Sequence, residues 1–457
     1  MVRQYLSLLF IIICFSACEF DKSKYSKINK DLLYSGPFLG YTEHFEQLIF
    51  MELSKNTKSL RVEYWPQPNK KKIESITFEP EFSQKFNPYK IVLPSLEMGT
   101  KYQYRLFLND IEQNIPHNTF ATKELWEWRR KKGEGAPAFS FLFGSCVYIN
   151  DSIYDRPGNP YGQDYRIFDT MAAHSTDFTL WGGDNIYLRE VDWSSGSGIN
   201  YRYHHTRSNE HLNKIMSSRP NYAIWDDHDF GPNNSHIAYP LKEASLEAFK
   251  NWWGNKTYGE PDNKGTYSTF SWSDVDFFLL DNRYHRSGNR MPNDERKSFL
   301  GKKQLSWLKN SLVESRASFK LIVNGNQFFN NMAYNECYIL YKNEFDELIK
   351  FIKDKKIRGI VFLSGDRHLS EMYKIKNKDF YPFYEVTCSP FTARAYNITG
   401  KPEFENPIRI KGSLIMEQNF MKISVEGKRD ERILGFETYN INNDLVFKYE
   451  ISQNDLR

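Results

Sequence analysis

The sequence predicts an α/β layered core preceded by a small all-β sandwich. Three observations carry that expectation. Before residue 124, short aliphatic and aromatic runs are bounded by Pro, Asn and Gly, the mark of antiparallel strands. After Ala138, apolar strand-like runs alternate with stretches of helical periodicity, the pattern of an α/β core. The polar residues richest in chemistry follow the apolar runs of this second part, at strand ends, where ligands sit in such folds. Composition agrees: of 457 residues, 40% are hydrophobic and 16% aromatic. That apolar surface offsets the entropy of ordering and excludes a disordered chain. A net charge of +4 gives no strong basic field, so there is no nucleic-acid-binding signal.

Residues 1–17 read as a secretory signal peptide. Arg3 precedes an apolar run from Leu6 to Ala17, shorter than the roughly 20 residues a spanning helix needs. The run ends in Phe15-Ser16-Ala17-Cys18, which resembles the bacterial lipobox, and the resemblance implies a lipidated Cys18. Acyl chains contribute roughly 0.8 kcal/mol per buried CH2, so a multiply acylated Cys18 makes the membrane a partner. An ordinary signal peptide with an unmodified cysteine nearby is the alternative. Residues 18–34, with Lys22, Lys24, Lys27 and Lys30, read as a tether. Residues 35–123 read as the sandwich, with strands at Gln47–Leu53, Leu60–Trp65 and Lys101–Leu108. Leu96 to Tyr104 resembles fibronectin type III domains, in which a tyrosine near the start of a late strand braces a corner. This module reads as structural or edge-covering. Residues 124–138 are the linker: a Trp-rich, charged stretch from Ala121 to Lys132 reads as a helix, and Gly133-Glu-Gly-Ala-Pro137 as a turn.

Residues 139–457 form the second domain. Strands are expected at Phe139–Phe143, Asp177–Trp181, Tyr222–Trp225, Leu321–Val323 and Gly359–Leu363. Helices are expected at Tyr165–His174, Glu243–Trp253, Lys302–Ser315 and Glu344–Lys355. Five strand ends offer donors. They present the Cys146 thiol, Asp184 with Tyr187, a carboxylate run around His228, the Asn326 amide, and Asp366 with His368. Like charges packed as closely as Asp226-Asp-His-Asp229 disfavour ionisation, and a metal among them removes that objection. With Cys14 in the signal and Cys18 assigned to lipid, Cys146, Cys337 and Cys388 remain. An odd count gives at least one of them another job. Cys337 and Cys388 read as core thiols, with a disulfide between them as the alternative.

Taken together, these segments resemble the PhoD-like alkaline phosphatases, a branch of the metallophosphoesterase (calcineurin-like) superfamily. The resemblance covers residues 139 to 395. It rests on Phe143-Gly-Ser-Cys146, Gly183-Asp184-Asn-Ile-Tyr187, Trp225-Asp-Asp-His-Asp229, Leu280-Asp-Asn-Arg283, Gln304-Leu-Ser-Trp-Leu308, Gly325-Asn326-Gln327 and Ser364-Gly-Asp366-Arg-His368. Cys146 stands where the general superfamily has Asp-x-His. Asp227 replaces the Asn of Gly-Asn-His-Glu/Asp, and Asp366 the first His of Gly-His-x-His. The resemblance implies a metallophosphoesterase-type β-sandwich core flanked by helices. It further implies one metal held by Cys146, Asp184, Tyr187 and His368, and a second held by Asp184 as bridge, Asp227, Asn326 and Asp366. Thiolate and phenolate donors suit ferric iron. The all-oxygen set suits a hard ion, and the resemblance tilts the pair to Fe3+ with Ca2+, Mg2+ or Mn2+ being alternatives at the second site. His228 is then the catalytic group beside the phosphoryl oxygen or leaving group, with Asp229 holding the ring's tautomer from behind. Arg283 is a candidate phosphate contact or, alternatively, half of a structural ion pair.

The resulting expectation is an exported phosphoesterase, lipid-anchored to a bacterial membrane on its periplasmic or cell-surface face. It would hydrolyse phosphate mono- or diesters by attack of a metal-bridging hydroxide. A catalytically inactive, surface-anchored binding protein on the same fold is the alternative, and a nuclease or phospholipase would differ only in substrate. The complete donor set favours the enzyme. Substrate choice falls to loops 147–164, 189–212, 284–299 and 396–420, which carry no readable code.

Overall fold

Two six-stranded sheets face one another across a shared apolar core. This computed structural model describes residues 29–457 except 83, 128–134, 333–335 and 429. The signal peptide, Cys18 and most of the tether lie outside the described residues.

The first sheet is ordered Asn221–Ile224, Phe178–Gly182, Phe139–Gly144, Asn419–Glu426, Ile433–Asn440 and Leu445–Ser452. Its first three strands are parallel, with Phe178 opposite Phe141 and Thr179 opposite Asn221. The last three join antiparallel. In the second sheet Val275–Leu279, Phe319–Val323, Ile360–Ser364 and Phe380–Thr387 run parallel. Ser268–Trp272 and Glu371–Asn377 close its edges antiparallel. The parallel strands are covered on both faces, which is why FSFLFG, FTLWG, FKLIV and IVFLS read as nearly unbroken apolar runs. Between the sheets, Phe141 stacks on Phe178 at 4.8 Å and meets Phe277 edge-on at 5.3 Å. Helices Ile167–Ala173, Gly196–Arg207, Glu210–Ser218 and Lys242–Trp252 pack Phe168, Tyr203, Ile215 and Phe249 over the first sheet. Lys302–Glu314 and Lys342–Asp354 pack Leu305, Leu308, Leu348 and Ile352 over the second. The layering is that of the expected helix-flanked β-sandwich.

The N-terminal strands Leu33–Thr42, Gln47–Leu53 and Pro88–Leu93 form one small sheet. Leu60–Pro66 and Lys101–Leu108 centre a second. Together they enclose Leu33, Ile49, Val62, Tyr104 and Leu106. The Tyr102 hydroxyl accepts the Glu97 N–H at 2.7 Å, bracing the turn before its strand. This unit covers the free edge at Asn221–Ile224, where an open strand would otherwise invite pairing. Leu39 bridges Pro220, Asn221 Nδ2 donates to the Leu39 carbonyl at 2.9 Å, and the Tyr41 N–H donates to the Gly254 carbonyl at 2.8 Å. The approach is so close that a Cβ on Gly254 would lie 2.6 Å from the Gly40 Cα.

Three expectations are corrected. Residues 122–127 carry no helix, and 128–134 lie outside the described residues. The first strand starts at Leu33, inside the expected tether. The segment 189–212 is largely helical rather than loop: Gly196–Arg207 is a helix, and Glu210–Ser218 begins within the segment. The first of these buries Arg202 through ion pairs with Asp192 at 2.7 Å and Asp155 at 3.3 Å, so its inner face reads as polar. Cys337 and Cys388 are buried free thiols. Among the described residues no helix is long and apolar enough to cross a membrane.

Candidate metal centre

Because the central strands of each sheet are parallel, their carboxyl ends share one edge, and the donor segments all leave from that edge. The turns that redirect the chain are tight. Cys146, Asp184, Asp366 and His368 adopt φ of 65°, 51°, 71° and 53°, a left-handed conformation costing an L-residue roughly 1–3 kcal/mol. Gly365 is needed between them, since a Cβ there would sit 2.4 Å from the Ser145 Oγ.

Cys146, Asp184 and His368 form one donor cluster. The Cys146 Sγ lies 3.7 Å from Asp184 Oδ2 and receives the Ser389 hydroxyl at 3.1 Å. The Tyr187 hydroxyl completes the group, 3.1 Å from Asp184 Oδ2 and 2.8 Å from His368 Nε2. His368 Nδ1 faces the Arg394 carbonyl at 2.8 Å. That contact puts the proton on Nδ1 and leaves the Nε2 lone pair facing the cluster, the usual device for orienting a ligating imidazole.

Asp184 also belongs to a second cluster with Asp227 and His228, and Asp227 to a third with Asp226 and Asp366. Sharing of Asp184 is the arrangement expected of a bridge. Asp227 Oδ2 accepts the Asn234 N–H at 2.6 Å, while its buried Oδ1 has no hydrogen-bond partner among the described residues. An orphaned carboxylate oxygen among other carboxylates is what a cation site leaves when only protein atoms are counted, so the donor chemistry fits.

Three sequence-derived roles change. Asn326, expected as a ligand, turns its Oδ1 to Asn282 Nδ2 at 2.9 Å and to Arg283 and Arg286 at 3.0 and 2.6 Å. Three donors on one oxygen fix the amide and leave its Nδ2 for Asp226 Oδ2 at 3.0 Å. Asp229, expected behind the His228 ring, instead accepts the Asn185 and Asp226 N–H groups at 3.1 and 2.9 Å. It sits one turn into the short helix Asp227–Phe230 and reaches back to that helix's start, away from the imidazole. Arg283 is fully buried, with Nε on Asp226 at 2.6 Å and an amino group on Glu336 at 2.8 Å, which is the ion-pair reading rather than the phosphate contact.

His228 stacks on the Tyr187 ring at 4.3 Å, and its Nδ1 has no partner among the described residues. Burial lowers its pKa to about 4 despite the pull of Asp227, so the ring is neutral at pH 7. Burial, then Asp227 and Cys146, push Asp184 well above the carboxylate range. Burial, then Asp226, raises Asp366 to about 7, and burial raises the Cys146 thiol to about 12. Without a cation these groups would hold protons; a cation reverses that preference. Sequence reasoning missed Ser389, Asn234, Arg286 and Glu336. Arg286 alone left a signal, lying three residues beyond Arg283.

Residues 141–420 match the family described as PhoD-like phosphatase. The chain belongs to that family. Alkaline phosphatase D of Bacillus subtilis (strain 168) is 26% identical over 288 residues, 52% of this chain and 47% of that protein. The match therefore spans about half the length of this curated relative. A solved structure of PhoD superposes with a TM-score of 0.72 at 17% identity over 93% of each chain. Purple acid phosphatase PPD1 from yellow lupin (Lupinus luteus) seeds superposes with 0.65 at 11% identity, over 92% of this chain and 74% of that one. Likeness at those identities establishes the metallophosphoesterase-type fold. PhoD-like phosphatases are metal-dependent, and the clusters above are this member's candidate donors.

In the metal-free protein, Asp366 and Asp229 titrate near about 7 and Asp226 near about 6, against 3.8 when unfolded. Between those limits the folded state binds more protons, so stability falls as pH rises from about 4 to about 7. Urea titrations of chelated protein should give a lower midpoint at pH 8 than at pH 5, with metal reversing most of the loss. A chelated protein that becomes more stable across that range would contradict the crowding of these carboxylates.

Proposed function

We propose that this chain is an exported, metal-dependent phosphoesterase acting on phosphate mono- or diesters. The observation that supports it most is one buried carboxylate, Asp184, common to two donor clusters, with a neutral His228 at their rim and open to a cleft. Cys146, Tyr187, Asp184 and His368 suit Fe3+, since thiolate and phenolate stabilise a highly charged ion. Asp184, Asp227 and Asp366 suit a hard ion, Ca2+ by family analogy, with Mg2+ or Mn2+ as alternatives. When bound, such ions supply Lewis acidity toward phosphate oxygens and lower the pKa of water.

The chain's own residues supply the rest. Ser145 and Ser389 place the Cys146 sulfur through hydroxyl contacts at 3.3 and 3.1 Å. The Arg394 carbonyl sets the His368 tautomer. Asp226, held by Arg283 Nε at 2.6 Å and Asn282 Nδ2 at 2.8 Å, fixes the start of the helix that carries Asp227 and His228. His228, oriented by the Tyr187 ring and neutral at pH 7, offers an N–H hydrogen bond to a phosphoryl or leaving-group oxygen. Export and lipid anchoring through Cys18 belong to the same proposal and rest on the lipobox-like Phe15-Ser16-Ala17-Cys18.

Asp184→Asn should abolish p-nitrophenyl phosphate and bis-p-nitrophenyl phosphate hydrolysis and also lower iron and calcium content by elemental analysis; full metal content would remove the bridge. His228→Ala should retain both metals and lose roughly 10²- to 10⁴-fold in kcat, and unchanged turnover would take it out of the reaction. Palmitate labelling should depend on Cys18 and vanish in Cys18→Ala, whereas label persisting in that variant would refute the anchor.

A further inference from the structure

A cleft of about 800 Å3 opens beside the metal centre, with Tyr148, Tyr161, Arg189, Trp193, His228 and Arg394 among its walls. Arg189 is only 9% exposed. Most deeply buried arginines of the fold face carboxylates: Arg202 meets Asp192, Arg283 and Arg286 meet Glu336, Arg367 meets Glu403, and Arg432 meets Asp274. Arg207 and Arg219 do not; Arg219 donates to the Ala172 carbonyl at 3.0 Å, Arg207 lies over the Trp253 ring at 4.2 Å, and neither lines the cleft. Arg189 lines the cleft and makes no ion pair among the described residues. Its Nε donates to the Tyr148 hydroxyl at 3.1 Å. Its guanidinium carbon lies 4.8, 5.5 and 5.3 Å from the ring centroids of Tyr148, Tyr161 and Tyr187. Aromatic faces offset part of a buried positive charge; an anion offsets far more.

Arg394 lies on the same Tyr161 ring, 5.8 Å from its centroid, with an amino group on the Asn159 and Pro160 carbonyls at 3.1 and 2.9 Å. It too makes no ion pair among the described residues. The acidic groups lining this cleft are already engaged. Asp151 accepts the Tyr201 hydroxyl at 2.7 Å, and Asp155 accepts the Asp151 N–H at 2.8 Å and pairs with Arg202 at 3.3 Å. Arg156, also on the wall, is neutralised by Glu190 at 2.5 Å. Arg189 and Arg394 are thus guanidinium groups of the cleft wall that face no carboxylate among the described residues, and the volume far exceeds a phosphoryl group.

We propose that Arg189 and Arg394 form a subsite for a second anionic group on the substrate. The preferred esters would then carry a carboxylate or a further phosphate on the leaving group. The inference rests on the phosphoesterase reading for the first group, the phosphoryl at the metal centre. The Tyr187 ring joins the two positions, with His228 stacked on it and Arg189 beside it. A guanidinium matches either oxyanion with two parallel hydrogen bonds.

The test is calorimetric binding of phenylphosphonate and 4-carboxyphenylphosphonate, neither of which is hydrolysed, to the metal-loaded protein. The added carboxylate should tighten binding roughly tenfold to a hundredfold, the range of a hydrogen bond between charged groups. That ratio should fall toward one in Arg189→Gln, partly recover in Arg189→Lys, and fall by a smaller factor in Arg394→Gln, an exposed position where misfolding is not at issue. A wild-type ratio near one, no binding of either probe, or a ratio unchanged in Arg189→Gln overturns the proposal. Equal weakening of both probes by Arg189→Gln also overturns it, because it puts Arg189 on the phosphoryl group. Phenyl phosphate turnover is measured alongside. An intact ratio without turnover sinks the phosphoesterase reading and keeps the anion subsite, whereas turnover with a ratio near one sinks the subsite alone.

Discussion

Asp184, Asp227, Asp366 and the Cys146 thiol meet in one buried volume whose described protein donors do not neutralise them all. Two unit charges 4 Å apart repel by about 4 kcal/mol at an effective dielectric of 20. The cluster tolerates its own negative charge only by taking up protons or by holding cations. The surrounding fold is consistent with the second solution. Left-handed backbone at Cys146, Asp184, Asp366 and His368 is retained although each residue has a Cβ. The parallel strands behind them are buried on both faces, so the strained turns spring from rigid supports.

Beneath the donors lies a second layer in which charge is balanced. Asp226 and Glu336 face Arg283 and Arg286, and the Asn326 amide is wedged between them. This layer explains why Arg283 does not face the cleft: Asp226 and Glu336 both claim its guanidinium. It also gives Asp226 a function that its neighbour lacks. Asp226 is saturated by three donors and anchors the turn, whereas Asp227, one residue on, keeps an oxygen free. Arg283 hydrogen-bonds Asp226 at 2.6 Å but comes no nearer than 3.9 Å to Asp227 Oδ1, so adjacent residues of one type are divided between support and candidate ligand by how closely the arginine layer approaches each.

That division marks the limit of what the sequence conveyed. The strands at 139–144, 178–182, 221–224 and 360–364 were legible because burial on both faces leaves an apolar run ending in polar residues, and Cys146, Asp184, Tyr187, Asp227 and His368 were legible as polar residues at those ends. Arg283 was legible as a residue but not in its role, since nothing local records Glu336, 53 positions away. Asn326 and Asp229 failed for a related reason. An amide or carboxylate at a strand end can face either the cleft or the layer beneath, and the choice lies with distant partners. The helix Gly196–Arg207 was hidden because Arg202, Thr206 and Arg207 share its buried face with Ile199 and Tyr203, which breaks the hydrophobic stripe.

Tyr187 touches both kinds of charge in the site: its hydroxyl meets Asp184 and His368, and the Arg189 guanidinium lies 5.3 Å from its ring centroid. The donor cluster and the cleft wall are joined at residues 393–396: the Arg394 carbonyl accepts the His368 Nδ1–H at 2.8 Å, and the Tyr161 hydroxyl stands 3.4 Å from the same nitrogen. The His368 ring therefore cannot be oriented by a cation without also fixing the strand of chain from which Arg394 reaches the cleft. The His368 imidazole and the Arg394 guanidinium thus hang on one hydrogen-bonded segment, with the Tyr396 N–H returning to the His368 carbonyl at 2.8 Å.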